Sequence, residues 1–222
     1  MKSFQLFTNT KKKKLPKEFA SDDVRNPESL VRYFLKEFTQ EGDKVFDPFA
    51  GFGTTLIVAE EMKRVGFGVE YEATRARYIK SQIKNPEHLK HGDSRKLNTY
   101  KFPKMDFCFT SPPYMNKLDA FNPFTAYSKK GNYKEYLKDV SKIFSKVKTI
   151  LKKGAYLVIE VSNLKKGNHV TTLAWDIAKE LSTIFHFEGE VVLGWKGKDT
   201  YGNKGNYGYG YDHSYVLVFR ND

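Results

Sequence analysis

Short apolar runs alternate with amphipathic stretches along most of this chain. In "NPESLVRYFLKEFTQ" (26–40), Leu30, Val31, Phe34, Leu35 and Phe38 recur at helical spacing. Asn26 suits an N-cap, Pro27 the first helical position and Glu28 the positive end of the helix dipole. "KVFD" (44–47) then reads as a first strand and "TTLIVAEEMKR" (54–64) as a helix that Thr54 and Thr55 can cap. "VGFGVEYE" gives a second strand ending near Glu70, and "EATRARYIKSQIK" a further helix. "HLKHGD" is a weak third strand, "MDFCFT" (105–110) a fourth and "YKEYLKDVSKIFSKVKTIL" (133–151) a long amphipathic helix. "AYLVIEV" (155–161) is a fifth strand and "TTLAWDIAKELSTIF" (171–185) a helix; "GEVVLGW" and "SYVLVF" are two last strands with no helical pattern between them. The pattern predicts an α/β fold, a three-layer sandwich around a seven-stranded, mostly parallel sheet whose last strand is antiparallel.

Composition narrows the class. With 222 residues the chain suits one domain with a sizeable core, and no apolar run approaches a membrane span. The expected organisation is a basic, weakly patterned arm over 1–25 and a single domain over 26–222. The N-terminus has no apolar segment followed by a cleavage site, so no signal peptide is expected. The single cysteine, Cys108, allows no internal disulfide and no cysteine zinc cage, which fits a reducing cytoplasm. No metal site is expected. Lys plus Arg number 38 against 26 Asp plus Glu, a formal charge of +12 that favours a polyanionic partner, nucleic acid above all. The run Lys11–Lys14 reads equally as a solvated arm or a phosphate contact.

Three carboxylates fall at consecutive strand ends. "VFDPFAGFGTT" sits where the first strand meets its helix, the place at which open α/β sheets bind ligands. Gly51 and Gly53 allow a tight turn, and Asp47 repels phosphate but attracts a cationic group, unlike an ordinary dinucleotide site. There is no P-loop. Glu70 ends the second strand, 23 residues on, where a carboxylate can accept from both ribose hydroxyls; Asp93 ends the third, within reach of an adenine amine. The fourth strand runs into Ser111-Pro112-Pro113-Tyr114, a stiffened turn displaying an aromatic ring. Between the last strands, "KGKDTYGNKGNYGYGYD" (196–212) carries four tyrosines among five glycines, an adaptable surface for a polymer.

"DPFAGFGTT" resembles the first motif of the S-adenosylmethionine-dependent amino-methyltransferases of DNA, which have a Rossmann-like fold. "RNPESLVRYFL", "GVEYE", "GDSR", "TSPPY", "LKKGAYLVIEV" and "DHSYVLVF" continue the resemblance in order over nearly the whole chain. It implies a cofactor site of Asn26, Pro27, Asp47, Pro48, Phe49, Gly51, Gly53, Thr54, Thr55, Glu70, Tyr71 and Asp93, with the methionine portion near Asp47 and the ribose at Glu70. It makes Ser111, Pro112, Pro113 and Tyr114 the catalytic turn. An exocyclic amine is a poor nucleophile because its lone pair is delocalised. Acceptors aimed at its protons, the Ser111 hydroxyl and a carbonyl held between the prolines, localise that lone pair, and Tyr114 offers its face to a flipped base. In the family, Ser at the first motif position goes mostly with cytosine and Asp with adenine, so Ser111 favours the cytosine 4-amino group.

Two departures stand out. The lysine usual ahead of the helix proline is Asn26 here, and there is no large target-recognition region. The candidates for that role are 115–132 and 196–212, with Tyr201, Tyr207, Tyr209, Tyr211 and His213 as substrate contacts. His213 also reads as a structural or backbone-orienting residue. DNA is the family's default polymer. Structured RNA is the close alternative, since RNA can be selected by shape. A protein-glutamine methyltransferase and a catalytically inactive nucleic-acid-binding module are weaker readings. Cys108, inside an apolar strand, reads as buried filler and not as the thiolate of cytosine carbon-5 chemistry.

Overall fold

Alternation along the central strands sorts the core onto two faces of one sheet. The computed structural model describes residues 1–196 and 213–222. Its strands are β1 (Phe4–Thr8), β2 (Lys44–Asp47), β3 (Val65–Glu70), β4 (Leu89–His91), β5 (Met105–Thr110), β6 (Leu151–Val161), β7 (Leu164–Lys166), β8 (His169–Thr171), β9 (His186–Lys196) and β10 (His213–Arg220). Its α-helices are α1 (Glu28–Phe38), α2 (Thr54–Glu61), α3 (Ala73–Gln82), α4 (Tyr133–Ile150) and α5 (Leu173–Leu181). Val45, Phe107, Phe109 and Val158 face one way, into the apolar stripe of α1 and the Val58–Ala59 edge of α2. Phe46, Cys108, Leu157 and Ile159 face the other way, onto α4 and α5. Burial on both faces is what a parallel sheet inside an α/β sandwich requires.

The sheet order is β1-β9-β10-β6-β5-β2-β3-β4. Strands β4, β3, β2, β5 and β6 are parallel, whereas β10 pairs antiparallel with both β6 and β9. The expected architecture is therefore present, with an eighth strand added at one edge. That strand comes from the segment read as a weakly patterned arm: β1 pairs parallel with β9 over Phe4–Thr8, and Phe7 meets Tyr33 of α1 edge to face, centroids 5.7 Å apart. Among the described residues no helix is long and apolar enough to cross a membrane.

The helix starts depart from expectation. Pro27 is the N-cap of α1 and no side chain caps it; the Asn26 amide instead acts on Glu160 of β6. The open N–H groups of Lys12 and Lys13 donate to the Glu28 carboxylate (3.0 and 3.3 Å), and Lys11 pairs with Asp23 (3.5 Å). The lysine run is thus folded back onto the start of α1. Gly53, not Thr54 or Thr55, is the N-cap of α2, in the left-handed region at φ 81° and without a side-chain cap bond. A Cβ there would lie 2.8 Å from Ile79 of α3, so glycine is required both by the turn and by the helix packed against it.

Candidate cofactor and target site

Strands β2 and β5 are neighbours in the sheet, and their carboxyl ends open into one cavity of about 740 Å³. Thr110, the last residue of β5, donates its hydroxyl to Asp47 Oδ1 at 2.7 Å, tying the two strand ends together immediately before Ser111. The cavity is lined by Asn26, Pro27, Asp47, Pro48, Phe49, Gly51, Thr54, Thr55, Glu70, Tyr71, Asp93, Ser111, Pro112, Pro113, Tyr114 and His213. Gly53 lies outside that lining and acts through the turn described above. Tyr201, Tyr207, Tyr209 and Tyr211 lie outside the described residues.

The carboxylates on the glycine-turn side are set by main-chain donors. Asp47, only 4% exposed, accepts the N–H of Phe49 at 2.9 Å. Burial pushes its carboxyl above the usual range, against the pull of Thr110, Phe49 and Thr55. The Thr55 side chain thus serves Asp47 and not the helix end. Glu70, 6% exposed, accepts the Gly51 N–H on Oε2 and the Glu72 N–H on Oε1, each at 2.8 Å. Burial raises it to about 7, with those two N–H groups and Arg75 opposing. Gly51, at φ 58°, aims its N–H at Glu70 from a conformation that side chains disfavour.

Asp93 lies on the same wall, but its oxygens are engaged by Arg95, through the backbone N–H (2.9 Å), Nε (3.0 Å) and Nη2 (2.8 Å). Burial alone would raise Asp93; these bonds outweigh it and hold the carboxyl below the ordinary range. An adenine amine would have to share Asp93 with Arg95. The neighbouring Ser94 hydroxyl donates to the Pro48 carbonyl, fixing the Asp-Pro-Phe turn from below.

Sequence reasoning missed several residues of the opposite wall. Glu160 of β6 is 6% exposed and lines the cavity. Its Oε2 accepts the Ser111 hydroxyl at 3.1 Å and the Tyr114 phenol at 3.0 Å. A lone carboxylate inside "AYLVIEV" was the available signal. Phe124 stacks on Phe49 with centroids 5.5 Å apart, and Tyr127 donates its hydroxyl to the Tyr114 carbonyl at 3.3 Å. Both come from 115–132. Val24 and Arg25, inside the supposed arm, also line the cavity. Cys108 is fully buried and its thiol is pushed well up by burial, with Asp47 adding to the shift; thiolate chemistry is disfavoured there.

A seven-strand order with an antiparallel β10, and a carboxylate-rich cavity at the strand ends, define the class as the S-adenosylmethionine-dependent methyltransferase fold. Similar solved structures include TrmN from Thermus thermophilus (TM-score 0.59, 16% identity, 87% of this chain and 48% of that one). A TehB-like S-adenosylmethionine-dependent methyltransferase from Corynebacterium glutamicum gives a TM-score of 0.58 at 12% identity, over 92% of this chain and 93% of that one. The DNA methylase family profile matches residues 4–81 and 105–222, and the chain belongs to that family. Asp93 falls between the two matched segments. Among curated relatives, the type II methyltransferase M2.DpnII of Streptococcus pneumoniae is 34% identical over 67 residues, 30% of this chain and 25% of the relative. The type II methyltransferase M.MjaI of Methanocaldococcus jannaschii is 39% identical over 57 residues, 26% of this chain and 19% of the relative. The matched stretches thus span about a quarter or less of those relatives' lengths.

The residues present fit S-adenosylmethionine. Among the described residues no cationic side chain pairs with the buried Asp47. A ligand carrying an ammonium group would supply the missing charge. Glu70 keeps lone pairs for hydroxyl donors after accepting two N–H groups.

Proposed function

We propose that this protein transfers a methyl group from S-adenosylmethionine to an exocyclic amine of a nucleobase in nucleic acid, with the cytosine 4-amino group as target and DNA as the polymer. One observation carries the reading. The Asp47 strand end and the Ser111–Tyr114 turn are joined by the Thr110 hydrogen bond and line the same cavity. A donor held at the first and a base held at the second would share that cavity.

When bound, S-adenosylmethionine supplies an electrophilic methyl group on sulfur. Asp47 attracts the cationic amino-acid end, and Glu70 accepts from ribose hydroxyls. The Ser111 oxygen and a carbonyl of the proline pair accept the two amine protons, which localises the lone pair on nitrogen. The Tyr114 ring supports the flipped base, and the Phe49–Phe124 stack lines the same cavity. The tyrosines of 196–212 and the lysines beside them suit stacking and backbone contact. Replacing Tyr207, Tyr209 and Tyr211 together by Ala is expected to weaken nucleic-acid binding at least about tenfold, since each stacked base contributes ~1–3 kcal/mol. Equal binding curves at two salt concentrations would remove that loop from the interface.

Mass spectrometry of nucleosides tests the whole reading. DNA and ribosomal RNA are compared from cells with and without the gene. N4-methylcytosine in DNA that disappears with the gene is expected. N6-methyladenine instead would overturn the base assignment, and a gene-dependent methyl group in RNA alone would overturn the polymer.

A further inference from the structure

Glu160 is out of place by composition. It lies between Ile159 and Val161, both fully buried against the α4–α5 layer, so the strand alternation turns it to the opposite face. There it meets the Ser-Pro-Pro-Tyr turn. Among the described residues it pairs with no cation. Its hydrogen-bond partners from the turn are the Ser111 hydroxyl and the Tyr114 phenol, both on Oε2.

Proton inventory then fixes the polarity of the turn. An ionised carboxylate has no donor, so a hydroxyl bonded to it donates, and the Ser111 hydroxyl lies closer to Glu160 Oε2 (3.1 Å) than to its other acceptor, the Tyr114 oxygen (3.4 Å). Ser111 has one hydroxyl proton. With that proton directed to Glu160, only its lone pairs are left for the cavity. The same carboxylate holds Tyr114 by its phenol, which restrains the ring at the cavity wall.

We propose that Glu160 is a positioning residue for the Ser-Pro-Pro-Tyr turn: it presents Ser111 to the target amine as an acceptor and takes over the Ser111 proton once the methyl group has moved. This rests on the amine-methylation reading above. In the transfer, the amine lone pair forms the new N–C bond, the C–S bond breaks and its electrons return to sulfur. The nitrogen then carries one proton too many. That proton passes to the Ser111 oxygen while the Ser111 proton passes to Glu160. A neutral methylated amine and a neutral carboxylic acid remain, and Glu160 loses its proton to solvent before the next cycle. Burial pushes Glu160 above the usual carboxylate range, against Ser214, Tyr114, Ser111 and Asn26, and a carboxylate shifted in that direction takes up a proton more readily.

Several neighbours bear on its titration. Tyr114 is the titratable group in contact from the turn, while Asn26 ahead of α1 and Ser214 of β10 are uncharged. Asp47, Glu70 and His213 line the same cavity. They are common to the wild type and to every Glu160 variant, so a difference between pH profiles reports Glu160.

The test uses the full chain, radiolabelled S-adenosylmethionine, and unmethylated genomic DNA or ribosomal RNA as acceptor. Glu160→Gln is expected to lower kcat about 100-fold or more, the range of proton-transfer catalysis, with KM and cofactor affinity within about threefold. The acid limb of kcat against pH, present in the wild type because protonated Glu160 cannot accept, is expected to disappear. In a Ser111→Ala background the same change is expected to cost less than about threefold further, because coupled residues are not additive. Wild-type turnover and pH profile in Glu160→Gln, or a fully additive loss in the double variant, would overturn the proposal. Should Glu160→Gln not fold, Glu160→Asp keeps the charge but withdraws it by one methylene. A loss of kcat of about tenfold with unchanged cofactor affinity is then expected, and undiminished turnover overturns the idea. A wild type that methylates no base overturns both this proposal and the reading beneath it. Methylation that Glu160→Gln leaves intact overturns this proposal alone.

Discussion

On the glycine-turn side of the cavity, Asp47 and Glu70 accept from main-chain N–H groups of Phe49, Gly51 and Glu72. On the proline-turn side, Glu160 accepts from the side chains of Ser111 and Tyr114. The first arrangement depends on backbone shape and hence on the glycine turn and on Ser94 beneath it. The second depends on the identity of two hydroxyl residues. Backbone donors hold a carboxylate whatever the neighbouring side chains are, which suits a cofactor site that has one fixed ligand. Side-chain donors carry movable protons, which suits the side where a proton must leave.

The largest expected effect lies on the backbone-held side. Asp47→Asn keeps the size of the group and can still accept from Phe49 and Thr110, but removes the charge. Cofactor affinity by calorimetry is expected to fall about 100-fold, or ~2.7 kcal/mol. Wild-type affinity in this variant would mean that the ammonium end binds elsewhere and that the two sides do not divide the work as described.

Of comparable size is the effect at the ring on the opposite side. Tyr114→Ala is expected to remove most turnover, a loss of at least about 100-fold, while cofactor affinity stays within about twofold. Tyr114→Phe keeps the face and loses the phenol's bonds to Glu160 and Ser111, so a smaller loss is expected. Parallel loss of cofactor binding and turnover in Tyr114→Ala would merge the two sides into one unit.

How these sides could be read beforehand differs in the same way. Asp47, Glu70 and the Ser-Pro-Pro-Tyr turn were legible because each sits at the end of an apolar run, where chain order and strand pattern place it without tertiary knowledge. Glu160 was not, because a carboxylate inside an apolar strand acquires meaning only when β6 is set beside β5. β1 was missed for a related reason. Phe4 and Leu6 are half exposed, and pairing with β9 spans almost the whole chain, so no local signal marks it. The capping assignments of Asn26, Thr54 and Thr55 failed because propensity names suitable residues but not competing partners. Glu160 takes the first and Asp47 the last.

Glu70 offers a pH handle on the backbone-held side alone. Its folded value of about 7 lies above the ~4.3 of an unfolded glutamate, so the folded protein binds the extra proton between those values. Its contribution to stability therefore falls as pH rises through that window. Cofactor affinity runs in the opposite direction, since ribose hydroxyls need the ionised acceptor. Ionisation is about one part in eleven at pH 6 and ten in eleven at pH 8, so affinity is expected to rise roughly tenfold between them. Glu70→Gln is expected to flatten that dependence in calorimetry. An unchanged slope in the variant would assign the titration to another cavity carboxylate and weaken the separate treatment of this side.

The smallest expected effect concerns the residue that lies behind both sides. Cys108 is on β5, two residues before Thr110, and its thiol points into the α4–α5 layer with no exposure. Burial disfavours its thiolate, and the nearby Asp47 disfavours it further. A residue so placed can influence the site only by holding β5 against its neighbours. Cys108→Ala removes one buried sulfur and leaves a small cavity, which is expected to cost about 1 kcal/mol of stability. Turnover and cofactor affinity are expected to stay within about twofold, because neither the backbone donors nor the two hydroxyls move. Thermal melting and methyl-transfer assays on the same preparation decide the matter. A variant that melts near the wild type and binds cofactor, yet transfers no methyl group, would show that the thiol reacts. The target atom would then be a ring carbon, and Ser111 and Glu160 would no longer be the pair through which the proton leaves.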